Sequence, residues 1–291
     1  MVTDRLCDLH THSVFSDGTW RPEELLCEAE RIGLCAVALT DHNTLAGIPD
    51  FLRAARGRSV EAVAGVEIST DYGDTELHIV GLFLPEESFE QVDGLLTKLR
   101  DRKDAANREM IARLVRDGYE LDFEEIKAAS EGLFNRAHIA SWLMKRGYVG
   151  SIAEAFKTLL AKGGRYYVAT KRLPVFEVIS FLRDIGAVPV LAHPFLNLTE
   201  GELREFLPVA KDHGLLAMET VYSTYDEGTV ELSKRIAAEF GLAESGGSDF
   251  HGERKPDIFL GRGHGELAVP YDFYKNLKEK ACFLTTKIYI L

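Results

Sequence analysis

The sequence predicts an α/β fold, a mostly parallel sheet or barrel that carries an inserted helical subdomain. Three observations predict it. Short apolar runs alternate with helical patterns through roughly the first hundred residues. Near Glu86 this rhythm gives way to a charged, helical stretch that reaches about Lys162. Strand–helix alternation then returns. This order divides the chain into a discontinuous barrel, residues 1–98 and 171–291, and a helical insertion, residues 99–170.

The elements follow in order. Residues 5–9 read as a short strand. Residues 22–31 read as a helix: Pro22 suits a first turn, Leu25, Leu26, Ala29 and Ile32 share one face, and Gly33 stops it. Residues 35–39 and 62–66 are expected as buried strands, and 77–84 as a further apolar strand. Within the insertion, Ser151 and Glu154 form a capping-box pattern that opens a helix, and Gly163 and Gly164 would end it. Residues 174–185 read as a helix stopped by Gly186. Residues 188–192 and 215–218 read as strands, 229–240 as a helix, and 242–245 as the entry to a last strand. Residues 282–291 read as a short apolar strand or tail.

At 291 residues and 46% hydrophobic content the chain can bury a large core. Its net charge of −12 argues against a long basic groove for nucleic acid, because such binding comes mostly from Lys and Arg on phosphates. A small anionic substrate is compatible with a locally positive site. The cysteines, Cys7, Cys27, Cys35 and Cys282, show no CxxC spacing, which fits reduced thiols in a cytoplasmic protein. The N-terminus has no apolar signal-type stretch and no apolar run approaches membrane length, so neither a signal peptide nor a membrane span is expected.

The nine histidines are not scattered. His10 and His12 stand two apart at the end of the first strand, where alternate side chains point the same way. His42 follows the second strand in Thr40-Asp41-His42, and Glu67 the third in Gly65-Val66-Glu67. His193 follows a later strand, and Asp249 and His251 the last. Sites in α/β barrels and open parallel sheets occupy this carboxyl edge. A lone His or Asp at a strand end is usually an ordinary polar or turn residue; seven such positions in one chain are not a coincidence. Imidazole mixed with carboxylate suits Zn, Mn or Fe better than Ca or Mg. His78 breaks the pattern, since it precedes its apolar run. His213 fits an ordinary helix C-terminus, and His264 sits in a Gly-rich loop where either reading stands.

These residues resemble the PHP family, named for polymerase and histidinol phosphatase. The matching segments are Asp8-Leu9-His10-Thr11-His12-Ser13, Ser16-Asp17-Gly18, Thr40-Asp41-His42, Gly65-Val66-Glu67, His78-Ile79-Val80-Gly81, Ala192-His193-Pro194 and Gly247-Ser248-Asp249-Phe250-His251. The resemblance implies a distorted (β/α)7 barrel with two or three divalent ions. It implies His10, His12, Glu67 and Asp249 on the first, Glu67 with His78 and His193 on the second, and Asp17, His42 and His251 on a third. Some members carry His where Asp17 stands. Asp41 and Glu219 are expected either to support the ligands or to face substrate, and for Glu219 an ordinary solvated strand-end carboxylate is an equal reading.

The insertion resembles a subgroup of small-molecule phosphoesterases and 5′-nucleases with an Arg-Pro-His-like motif, here Asn135-Arg136-Ala137-His138. Physics agrees: Asn135 is a good N-cap, free backbone N–H groups of a first turn attract anions, and Arg136 adds a bidentate fork. Lys162 and His264 are weaker candidates for substrate contacts. Three divalent ions against three carboxylates and one hydroxide leave the site roughly +2, matched to a phosphate dianion. The expected reaction is attack of metal-held hydroxide on a phosphate monoester of a small nucleotide or phosphorylated metabolite. Asp249, His251, His138 or a water on the third ion could donate the leaving group's proton, with Arg136 and His138 steadying the equatorial oxygens. The expected partner is a small phosphorylated compound, nucleotide or short oligonucleotide, without long nucleic acid or membrane; a monomer is compatible. Histidinol-phosphate-type hydrolysis, a non-catalytic PHP module and metal-dependent C–N hydrolysis are the alternatives.

Overall fold

The computed structural model describes residues 5–130 and 134–288. By contact the chain divides into two compact units, one formed by Met1–Asp93 and Leu173–Leu291 and the other by Gly94–Arg172.

The first unit is built on a sheet whose strands are β1 (Leu6–Asp8), β2 (Ala36–Leu39), β3 (Glu61–Tyr72), β4 (Thr75–Leu82), β5 (Leu173–Pro174), β6 (Val188–Leu191), β7 (Ala217–Tyr222), β8 (Ala243–Gly247) and β9 (Val269–Pro270). Their order is β8-β7-β6-β4-β3-β2-β1-β9, with β5 beside β3. The chain beyond β1 reaches β8: Leu9 N–H donates to Gly246 O at 3.1 Å and Asp249 N–H to His10 O at 2.9 Å. The sheet thus curls into a nearly closed barrel. Pairings along it are parallel except at β4, which runs antiparallel to both β3 and β6, and at β9. Reversal of β4 explains His78. The start of a reversed strand lies at the same edge as the ends of its parallel neighbours, and Ser69 of β3 pairs with His78.

Helices α1 (Pro22–Arg31), α2 (Ile48–Ala54), α7 (Val175–Asp184), α8 (Glu200–Asp212) and α9 (Glu227–Glu239) connect the strands. Each turns an apolar face to the barrel; α1 buries Pro22, Leu25, Leu26 and Ala29, the face expected from its spacing. α10 (Tyr271–Ile288) corrects the expectation of a strand or tail over residues 282–291; the last three lie outside the described residues. Tyr274, Leu277 and Ala281 recur at helical spacing and join one apolar cluster with Leu9, Ala38, Val63 and Val190. The Tyr271 N–H donates to Arg5 O, and Tyr274 Oη donates to Glu61 Oε2 at 2.9 Å, so α10 covers the amino ends of β1 and β3. No helix among the described residues is long and apolar enough to cross a membrane, and all four cysteines are free thiols.

α3 (Phe89–Arg116) leads into the second unit, which also holds α4 (Phe123–Ala128), α5 (Arg136–Lys145) and α6 (Ile152–Thr158). Its own core packs Ile111, Leu114, Phe123, Phe134, Ile139 and Leu143. Ser151 caps α6 through Glu154 N–H. The helix ends at Thr158, earlier than Gly163 and Gly164 suggested. Leu159 and Leu160 N–H both fold back on Ala155 O, and Thr158 Oγ1 donates to Glu154 O, which closes the last turn.

Candidate metal centre

Glu67 organises the site. It is fully buried, and five imidazoles surround its two oxygens. Oε1 lies 2.7 Å from His78 Nδ1 and 3.1 Å from His193 Nε2. Oε2 lies 2.8 Å from His42 Nδ1 and 3.3 Å from both His10 Nε2 and His12 Nε2. Asp249 Oδ1 stands 3.1 Å from His12 Nε2 and 3.6 Å from His10 Nε2. Asp17 Oδ1 stands 3.3 Å from His251 Nε2 and 3.8 Å from His42 Nε2. Three sets of donors come within 4.8 Å of one another: His10, His12 and Glu67; His42, Glu67 and His78; and His12, Asp17, His42 and His251. The geometry therefore shares His12 and His42 between sets, which the residue-by-residue assignment did not. His193 reaches Glu67, and Asp249 reaches His12 and His10, but neither belongs to any of the three sets.

The donor chemistry fits divalent cations. Among the described residues, His10 Nε2, His12 Nδ1 and Nε2, Asp17 Oδ1, Glu67 Oε2 and His193 Nδ1 are buried with no hydrogen-bond partner. Unsatisfied buried polar atoms cost about 1–3 kcal/mol each and are rare in native proteins; a cation satisfies several at once. Burial, with His42 and His251 close by, pushes the His12 imidazole down to about 3, so it stays in the neutral form that ligates. Burial opposes ionisation of Glu67, yet His42, His78 and His10 outweigh it and hold its carboxyl well below the usual range. Asp249 behaves likewise beside His12 and His10, and Asp17 is held low by His251 and His42.

A supporting layer fixes these groups. Glu219 lies within β7, with Oε1 2.9 Å from His10 Nδ1 and Oε2 accepting the His193 N–H at 2.7 Å. Both oxygens of Glu219 serve protein partners in the buried interior, His10 and His193. Asp41 accepts from Ser13 N–H, Ser13 Oγ and Ser16 Oγ and so ties down the loop that bears Asp17. Asp8 accepts from Ser248 N–H and Oγ and from Gly261 N–H, tying β1 to the segment that bears Asp249. His251 Nδ1 meets Asp249 O at 2.8 Å, which aims Nε2 at Asp17. His193 (φ 29°) and Asp249 (φ 54°) adopt positive φ that side-chain-bearing residues avoid; such strain gathers at functional sites.

A cavity of about 370 Å³ opens beside His42, Glu67, His78, His193 and Asp249, and Tyr222 and Lys255 line it too. Sequence reasoning missed Tyr222 and Lys255. Both donate to Asp249 Oδ2, at 2.7 and 2.6 Å. No local motif marks them. His264, in contrast, is exposed in a turn and is not among the residues lining the cavity.

Within the second unit, Asn135 caps α5 by accepting from Ala137 N–H. Its own N–H donates to His138 Nδ1 at 3.2 Å, which leaves the proton of a neutral ring on Nε2. The Arg136 guanidinium stacks near Phe156 and Tyr167 and reaches Leu160 O at 3.4 Å. Lys162 is exposed in the turn that follows.

A barrel with imidazoles and carboxylates converging at one strand edge defines a metal-dependent hydrolase. Comparison with known proteins narrows this. Residues 8–173 match the PHP domain, and the chain belongs to that family. It is 32% identical to a 5′-3′ exoribonuclease of Haemophilus influenzae over 84% of this chain and 89% of that one. It is 30% identical to a 3′,5′-nucleoside bisphosphate phosphatase of Chromobacterium violaceum, over 90% of this chain and 92% of that one. A solved structure from Bifidobacterium adolescentis, put forward as a metal-dependent phosphoesterase, superposes with a TM-score of 0.76 at 26% identity, covering 95% and 96% of the two chains. The protein is a metal-dependent phosphoesterase.

Proposed function

We infer that the protein hydrolyses phosphate esters of small nucleotides, or of similar phosphorylated metabolites, with two or three Mn, Fe or Zn ions. The observation that carries this reading is Glu67, one buried carboxylate within 3.3 Å of five imidazoles, with unpartnered donor atoms around it. His10, His12, Asp17, His42, Glu67, His78, His193, Asp249 and His251 would hold the ions. When bound, divalent ions supply Lewis acidity toward phosphoryl oxygens and an activated water. The chain's own groups do the rest. Asp249, held ionised, is aligned by Tyr222 and Lys255, and His251 by the Asp249 carbonyl; of the two, His251 is the candidate to carry a proton toward the leaving oxygen. Arg136 and His138 of the insertion would steady the phosphoryl group, His138 donating from Nε2. Lys162 is a further candidate there.

The nucleotide preference is supported by the relatives named above, a 5′-3′ exoribonuclease and a 3′,5′-nucleoside bisphosphate phosphatase. A phosphate-release screen tests it, with nucleoside 3′,5′-bisphosphates, histidinol phosphate, simple monophosphates and short oligonucleotides offered in parallel. The nucleotide substrates are expected to give the highest kcat/KM, and a clear lead for histidinol phosphate would overturn the preference. Asp249→Asn is expected to lower kcat by about 10²–10⁴-fold; full activity in that variant removes Asp249 from the reaction.

A further inference from the structure

We propose that Lys255 is the barrel's own phosphate-binding group: its ammonium braces Asp249 and offers its remaining donors to a phosphoryl oxygen in the cavity. The position is built. Gly252 (φ +64°) lies so close to Thr19 and Trp20 that a Cβ there would overlap Thr19 Oγ1. A short 3-10 turn, Gly252–Arg254, starts from it, and the Lys255 N–H closes the turn on Gly252 O at 3.1 Å. The turn follows His251 directly and fixes where the Lys255 side chain leaves the backbone. Nζ then lies 2.6 Å from Asp249 Oδ2.

Three points assign the ligand class. First, Lys255 is the only Lys or Arg that lines the cavity among the described residues; the other charged groups there are Glu67, Glu76 and Asp249 with the imidazoles. Second, an ammonium has three donors. Asp249 is its one partner among the described residues, and the side chain is 37% exposed, so two donors remain for a ligand. Third, Tyr222 Oη already donates to the same oxygen at 2.7 Å. A second donor carrying a full charge exceeds what orienting Oδ2 requires, whereas a compact point charge beside the cavity suits a phosphoryl oxygen. Asp249 Oδ1 meanwhile stays turned toward His12 Nε2 at 3.1 Å. The brace and the ligand contact therefore do not compete.

The inference rests on the phosphoesterase reading, but binding can be read without turnover. The test uses the metal-loaded full chain, with inorganic phosphate as probe in calorimetry and as a competitive inhibitor of p-nitrophenyl phosphate hydrolysis. Lys255→Met is expected to keep the metal content of the parent by elemental analysis. It should weaken phosphate binding by about tenfold or more and raise KM more than it lowers kcat; Lys255→Arg should regain most of the affinity. Unchanged phosphate affinity in Lys255→Met overturns the proposal. So does a lost affinity that tracks lost metal and returns with excess metal, since Lys255 would then only position Asp249. Should Lys255→Met not fold by circular dichroism, Lys255→Gln carries the same expectation, because it keeps a donor for Oδ2 without the charge. Phosphate binding by the parent protein stands as a measurement even if no tested ester is cleaved.

Discussion

A single glycine sets how closely β8 approaches the chain at His10. A Cβ on Gly247 would fall 2.4 Å from His10 Cβ and 2.5 Å from His10 N. Both atoms belong to a segment tied down by Asp8 and the barrel closure, so neither can yield alone. Gly247→Ala is expected to cost about 1–3 kcal/mol and to lower metal content together with melting temperature; thermal unfolding and elemental analysis check this. Glu219→Gln probes the layer behind. A carboxamide has one acceptor for the two contacts that Glu219 makes, to His10 Nδ1 and His193 N–H. Metal affinity should fall about 10–100-fold with the fold retained, and a variant that binds metal like the parent would show Glu219 to be dispensable. These residues also show what the sequence could and could not reveal. Seven of the nine candidate ligands could be read because they follow a predicted strand at recognisable spacing; Asp17 and His78 were reached through the family motifs. Glu219 could be marked as a strand-end candidate but its role rests on the His10–Glu219 contact, 209 residues apart, and Tyr222 and Lys255 acquire meaning only through contacts to Asp249 that no local pattern encodes.

Among the elements, those with strong periodicity were legible and those defined by tertiary context were not. α1 and α7 follow their apolar spacing and glycine stops. The direction of β4 could not be read, because an apolar run looks the same in either direction. Only the two-residue turn between Tyr72 and Thr75, paired with each other across β3 and β4, makes it a hairpin. α8 was legible at its end, where His213 fits a helix C-terminus, but its start was missed although Thr199 and Glu202 form a full capping box. α10 was misread because Thr285, Thr286 and Ile288 suggest a strand. Buried Tyr274, Leu277 and Ala281 win instead, and the two threonine hydroxyls bond back to Ala281 O and Cys282 O within the helix. Since α10 covers the end of the barrel away from the metal centre, stability and chemistry should separate there. Leu277→Ala, at a fully buried site, is expected to cost about 2–5 kcal/mol. The melting temperature would drop by roughly ten degrees while kcat of the folded protein stays unchanged. A kcat that falls in proportion would mean that α10 reaches the chemistry.

For the whole molecule, the net charge of −12 conceals a division. Residues 94–172 hold sixteen Lys and Arg against ten Asp and Glu, whereas the rest of the chain holds eighteen against thirty-six. Overall acidity alone therefore says little about how a polyanion meets this protein. In the helical unit many basic side chains are paired locally, as Arg113 with Glu109 and Arg165 with Asp117. Exposed Lys145, Lys157 and Lys162 make no ion pair among the described residues. If the proposed function holds, a nucleotide with one or two phosphates would meet mainly the metal centre. A single strand with several phosphates would in addition be attracted by the net positive charge of residues 94–172. Salt separates the two cases. If two or three strand phosphates are neutralised, KM for a short oligonucleotide should rise roughly tenfold between 50 and 200 mM KCl, and KM for a nucleoside bisphosphate should rise much less. Steady-state kinetics across that range decide the matter: equal slopes for both substrates would mean that the charge of residues 94–172 plays no part in substrate binding.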